Sequence, residues 1–93
     1  MGQLAANPWK VTGADALPLT VARGSVKIRH IEGSGWTVAG HTIVVNDING
    51  NLITQLTGPT SLEEVRTGNI GYVTGIVVQS ISAAGEQALI YFE

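Results

Sequence analysis

Apolar residues in this chain come in short, β-branched runs separated by glycine-centred polar gaps. That pattern predicts many short strands and no long helix. Residues 9–11 read as a first strand behind Asn7-Pro8. Residues 17–22 read as a second, with Pro18 at its start, where strands tolerate proline. Residues 25–31 place Val26 and Ile28 on one face and Lys27 and Arg29 on the other. His30 and Ile31 then break the phase, which predicts a bulge or a strand end. Residues 32–40 read as a glycine-rich loop around Trp36. Residues 42–46 and 52–56 flank Asp47-Ile48-Asn49-Gly50-Asn51. Asn-Gly between two apolar runs is a strong hairpin signal, because both residues accept positive φ. Residues 73–82 and 86–92 form a second hairpin about Ala83-Ala84-Gly85. Residues 61–66 are the best helical segment, with Glu63 and Glu64 in the first turn, but they are long enough only for one turn or a strand edge. The whole reads as an all-β chain of about seven or eight short strands, a small antiparallel β-sandwich or jelly-roll-like barrel.

Several strands are apolar on both faces. Ile43 and Val45 oppose Val44, Ile76 and Val78 oppose Val77 and Ile81, and Ala88, Ile90 and Phe92 oppose Leu89 and Tyr91. An antiparallel strand with one wet face alternates more cleanly. The pattern therefore predicts a cover for the second face: the middle of a barrel or a neighbouring subunit. Composition strengthens the second option. Only 13% of the 93 residues are charged, against roughly 25% in an average globular domain. Charge is depleted at the centre of subunit interfaces. A chain of this length buries only about 60–65% of its unfolded surface. With no cysteine, disulfides and thiolate metal sites are excluded, and oligomerisation is the remaining route to extra stability. Residues 1–14 carry small side chains, Ala5, Ala6, Gly13 and Ala14, and read as an extended N-terminal arm that gains order on neighbours. Residues 15–93 read as a single β-sandwich domain.

Candidate chemistry fails at nameable residues. Lys10, Arg23, Lys27, Arg29 and Arg66 are scattered and the net charge is −2, so no nucleic-acid partner is expected. No apolar run approaches the roughly 20 residues that span a bilayer. Residues 1–10 lack the charged and apolar regions of a signal peptide, and Ala6 stands where a myristoylation signal needs Ser or Thr. No membrane partner is expected. His30 and His41 have no second ligand at zinc spacing. Asp47-x-Asn49-x-Asn51 opens like a calcium loop, but Leu52 and Gly58 stand where that loop needs Gly and Glu. Gly33-Ser34-Gly35 is neither a nucleophile elbow nor a dinucleotide fingerprint. The expectation is no enzyme, no cofactor and no metal.

What remains is a set of candidate contact residues: Pro8, Trp9, Trp36, Tyr72 and Tyr91. Trp36 reads as an interface anchor, as a sugar platform together with Tyr72, or as a tryptophan folded over the end of the domain. Asn7-Pro8-Trp9, the strand Val26-Lys27-Ile28-Arg29-His30-Ile31, the run from Ala39 to Asp47, Asn49-Gly50-Asn51-Leu52-Ile53 and the closing Ala88-Leu89-Ile90-Tyr91-Phe92 together resemble the small β-rich accessory virion proteins of tailed bacteriophages. The resemblance implies a structural role in the virion, first of all as a capsid decoration or cement protein. It implies the major capsid protein or other virion proteins as partners, together with copies of this chain, a trimer among them. The alternatives are a tail or head-fibre component, or a sugar-binding module built on Trp36 and Tyr72.

Overall fold

The computed structural model describes residues 7–93. Seven strands follow one another: β1 (Trp9–Thr12), β2 (Leu19–Ser34), β3 (Thr42–Asn46), β4 (Leu52–Thr57), β5 (Val65–Arg66), β6 (Gly71–Ile81) and β7 (Gln87–Phe92). Among the described residues there is no helix. All pairings are antiparallel, within one sheet of order β1-β7-β2-β6-β3-β4, and β5 pairs with β2. The chain is thus all-β, as expected. Its strands lie in a single curled sheet.

The expected strands at 17–22 and 25–31 are one 16-residue strand, β2. It passes through Gly24 and runs on to Ser34, so the loop around Trp36 begins only at residue 35. Its first part pairs with β6, from Leu19 opposite Val78 to Ile28 opposite Gly71. Its last part pairs with β7, from Ile28 opposite Phe92 to Ser34 opposite Gln87. Past the start of β6 the vacated edge of β2 is taken by β5, with Glu32 opposite Arg66 and Gly33 opposite Val65. The connection between β5 and β6 stays on that edge, where the Thr67 and Ile70 N–H groups donate to the Ile31 and Arg29 carbonyls.

Breaks in the apolar alternation are bulges. Along β2 the register shifts between Thr20 and Ala22, between Ala22 and Ser25, and again between Ile28 and His30. Each shift resets the phase, so that Val21, Val26, Ile28 and Ile31 all reach the core despite their mixed parity. The phase break seen at His30 is therefore a bulge. On β6 a further shift, at Gln79, turns Ile81 inward beside Ile76 and Val78. Ile81 is thus a core residue, and the apolar second face of this strand is reduced to Val77.

Curling brings the end of β2 over β3 and β4. A Cβ placed on Gly33 would lie 3.1 Å from Leu56 and 3.3 Å from Ile43. Between these layers lie the fully buried Val11, Ile28, Ile31, Ile43, Val45, Ile76, Val78, Ala88 and Ile90. Val11 belongs to β1, whose residues Trp9 to Thr12 pair with Ile90 to Gln87. The arm reading of residues 1–14 is corrected to that extent: from Trp9 the chain is an integral edge strand, because a buried valine anchors it. Residues 1–6 lie outside the described residues. Asn7 extends the edge with its side chain, which donates from Nδ2 to the Phe92 carbonyl and accepts the Phe92 N–H at Oδ1.

The hairpin about residues 47–51 forms as expected. The expected second hairpin does not: residues 82–86 connect β6 to β7, but the two strands do not pair, because β2 lies between them. Asp47 Oδ1 accepts from the Asn49 and Asn51 N–H groups at 2.9 Å, and Asn51 Nδ2 donates to Oδ2. These bonds hold the Asp47 carboxyl below its ordinary pKa, the Asn51 backbone bond first. The calcium-like triplet thus spends its carboxylate on its own turn. Segment 61–66 resolves as the strand edge β5. Before it, Leu62 sits at φ 59 and is 41% exposed. The left-handed region costs a non-glycine residue about 1–2 kcal/mol, and an exposed side chain returns little packing. Leu62→Gly is expected to raise stability by about 0.5–1 kcal/mol, measured as a shifted urea midpoint at unchanged slope.

Candidate functional site

The residue register divides the outer surface of the sheet by charge. Residues directly opposite one another share a face. Across β1, β7, β2 and β5 one row reads Lys10, Leu89, Glu32, Arg66, and beside it Tyr91 faces His30. Across β4, β3, β6 and β2 the rows read Gln55, Val44, Ser80 and then Asn46, Val77, Thr20. The first rows carry charge and the second carry none, although farther along the β2–β6 pair Lys27 stands opposite Tyr72. Strand β4 ends the sheet on the uncharged side, and Leu52 at its start is 61% exposed. Natural sheet edges are ordinarily blunted by charge or proline. Leu-Ile-Thr-Gln-Leu-Thr has neither.

The charged half holds a connected polar cluster. The His30 and Tyr91 rings stack with centroids 4.4 Å apart. Tyr91 Oη donates to Glu32 Oε1 at 3.2 Å, and Glu32 is buried. Burial first, and then the Glu32 carboxylate, push the Tyr91 hydroxyl above its ordinary pKa. Segment 63–66 brings Glu64 against Glu32. The hydrogen bond between the two carboxyl groups, and then their repulsion, raise the Glu64 pKa, and Arg66 pulls it back.

A second cluster lies at the turn between β6 and β7. Glu86 is fully buried, and its Oε2 gathers three loop donors: Thr37 N–H at 3.1 Å, Thr37 Oγ1 at 3.0 Å and His41 Nδ1 at 2.8 Å. Burial is the largest influence on Glu86 and acts upward. The Thr37 and His41 bonds together outweigh it and leave the carboxyl below its ordinary pKa. This cluster is illegible in the sequence: a glutamate beside a hairpin glycine reads as solvated, and His41 lies 45 residues away.

The predicted contact residues do not converge. Trp36 is only 5% exposed. Its indole lies in a slot between Gly33 and Gly58, where an added Cβ would come within 2.8 Å of the ring from either side. As the protein stands, Trp36 is neither a sugar platform nor an interface anchor, because the absence of two side chains lets it fold into its own core. Pro8 and Trp9 are half-buried, with Trp9 packed on the core beside Ile90. Tyr91 is half-buried in the polar cluster. Tyr72 alone is freely presented, 75% exposed, with Lys27 Nζ 5.5 Å from its ring centroid. Lys27 also pairs with Glu93 at 3.3 Å. Nearby, Ser25, Val26, Lys27, Phe92 and Glu93 line a groove of 210 Å³, below the roughly 300–1,000 Å³ of small-molecule sites.

No family model matches the sequence, no curated protein matches it, and no solved structure matches the fold.

The Glu32–Glu64 contact has a definite pH signature. A carboxyl whose folded pKa is raised contributes stability that is present at low pH and lost as pH rises through that pKa. Glu64→Gln is therefore expected to raise Tm at pH 7. The gain should fade as pH falls and the native pair takes up its proton. Thermal melts at pH 4 and pH 7 measure this.

Proposed function

We propose that this chain is a structural subunit of a tailed-phage virion, a decoration (cement) protein that binds the capsid shell and stabilises it. The observation that carries the reading is the pair of uncharged rows across β4, β3 and β6, which end in the edge β4, without charge or proline, beside exposed Leu52. A free monomer with such a surface risks edge-to-edge pairing. Against a complementary protein surface the same features are assets. Uncharged polar rows desolvate at low cost, and an open edge offers main-chain hydrogen bonds to an incoming strand.

The charged half is suited to remain in water, so each copy has a built-in orientation. The partner is the major capsid protein or another virion protein, with copies of this chain as neighbours, in threes at threefold positions. One copy presents a modest surface. Many copies on a symmetric shell are held by many weak contacts that act together.

The purified chain, mixed with expanded capsids of the phage that encodes it, is expected to cosediment and to raise the temperature at which the shells disrupt. Val44→Lys places a charge in the middle of the uncharged rows and is expected to weaken binding at least tenfold, since burying an unpaired charge costs upward of about 1.4 kcal/mol. Lys10→Glu, on the other half, is expected to leave binding unchanged. A wild-type chain that neither cosediments nor protects the shells removes the proposal.

A further inference from the structure

We infer that loop 35–41 is an acid-released latch, held closed by the buried carboxylate of Glu86 and opening to expose Trp36. The inference is independent of any virion role.

The loop is built to move as a unit. Gly35 and Gly40 flank it, both at positive φ, 72° and 91°. Such positions absorb backbone rotation at little steric cost to glycine. Between them Trp36 fills its slot against Gly33 and Gly58, and Thr37 carries two of the three donors to Glu86. His41, just past Gly40, supplies the third. The remaining tie visible at this end is backbone: the Gly40 N–H donates to the Gly58 carbonyl at 2.9 Å, and Gly58 N–H to that of His41 at 2.8 Å. Closure therefore combines the burial of Trp36 and two backbone bonds with three side-chain-directed bonds that all converge on one oxygen atom, Glu86 Oε2.

The closed state also carries a cost. Trp36 Nε1 and Glu86 Oε1 are both buried with no hydrogen-bond partner among the described residues. Each unpaired buried polar group is penalised by its lost hydration. Opening returns both to water. The ionised carboxylate offsets this, because charge-assisted bonds are about twice as strong as neutral ones. A proton on Glu86 removes the assistance from all three bonds at once while leaving the cost in place.

Groups facing Glu86 from the packed elements are few among the described residues. His41 faces it from the loop. From the end of β1 the contact is backbone, with the Gly13 N–H donating to the Glu86 carbonyl, and the nearby Asp15 carboxylate accepts from Thr12. Since the folded pKa of Glu86 is depressed, its contribution is present above the ordinary carboxyl range and lost as pH falls through the folded value. Acid is the releasing direction.

The test uses Trp36 emission in a Trp9→Phe background, which leaves one tryptophan. On acidification, emission is expected to move to the red and acrylamide quenching to rise several-fold while the far-UV strand signal persists. In the same background Glu86→Gln is expected to show the open signal at pH 7 with no acid step. Thr37→Val keeps the N–H donor but loses the hydroxyl donor, and is expected to move the midpoint to higher pH. The inference is overturned if Trp36 stays protected until the strand signal itself collapses. A folded Glu86→Gln protein as protected as its parent at pH 7 also overturns it. Should Glu86→Gln not fold, an unmoved midpoint in Thr37→Val does the same.

Discussion

Everything in this fold hangs on one strand being shared between two partners. Sixteen straight residues at about 3.3 Å each would reach roughly 50 Å, yet the longest extent of the molecule is 35 Å. Strand β2 must bend, and its bulges at Thr20–Ala22, Ala22–Ser25 and Ile28–His30 are where it does so. Bending sends its first part along β6 and its last part along β7, and leaves an edge for β5. The same bulges reset the side-chain phase, so that one strand supplies Val21, Val26, Ile28 and Ile31 to one core. A small chain without disulfides closes a hydrophobic interior this way, by curling a single sheet until Gly33 meets Ile43 and Leu56.

That curl also sorts the surface. The charged rows centre on β7 and the end of β2, while the uncharged rows centre on β3 and β6. On the charged side the side chains satisfy one another: Tyr91 binds Glu32, His30 stacks on Tyr91, and Gln87 reaches Ser34. On the side of the uncharged rows Val44, Val77 and Leu52 have no such network, and among the described residues β4 pairs on one edge only. The side proposed above for docking is thus a product of the same strand order that builds the core.

Trp36 and Glu86 show how a loop becomes part of the interior. The indole enters the core because Gly33 and Gly58 clear its two sides, and the loop stays down because a buried carboxylate gathers its donors. The arrangement is stable at neutral pH and incomplete in its hydrogen bonding.

The chain by itself determined the all-β class, the 47–51 hairpin, the break in phase at His30 and the grouping of Val26 with Ile28, Ile43 with Val45, Ile76 with Val78 and Ala88 with Ile90 on shared faces. These depend on local signals: turn residues that accept positive φ, and a side-chain period of two. The hairpin its pattern also suggested at 83–85 does not form, because the sheet inserts β2 between β6 and β7. Only the tertiary structure decided the rest. That residues 17–22 and 25–31 are one strand depends on which neighbours take its edges. That Ile81 points inward depends on an extra residue, Gln79, opposite β3. That Trp36 is core depends on two glycines from distant strands. The carboxyl pair Glu32–Glu64 and the triad Thr37–His41–Glu86 join residues 32 to 49 positions apart. No periodicity reports such contacts, because they are made by sheet curvature, and curvature is set by how the whole set of strands packs.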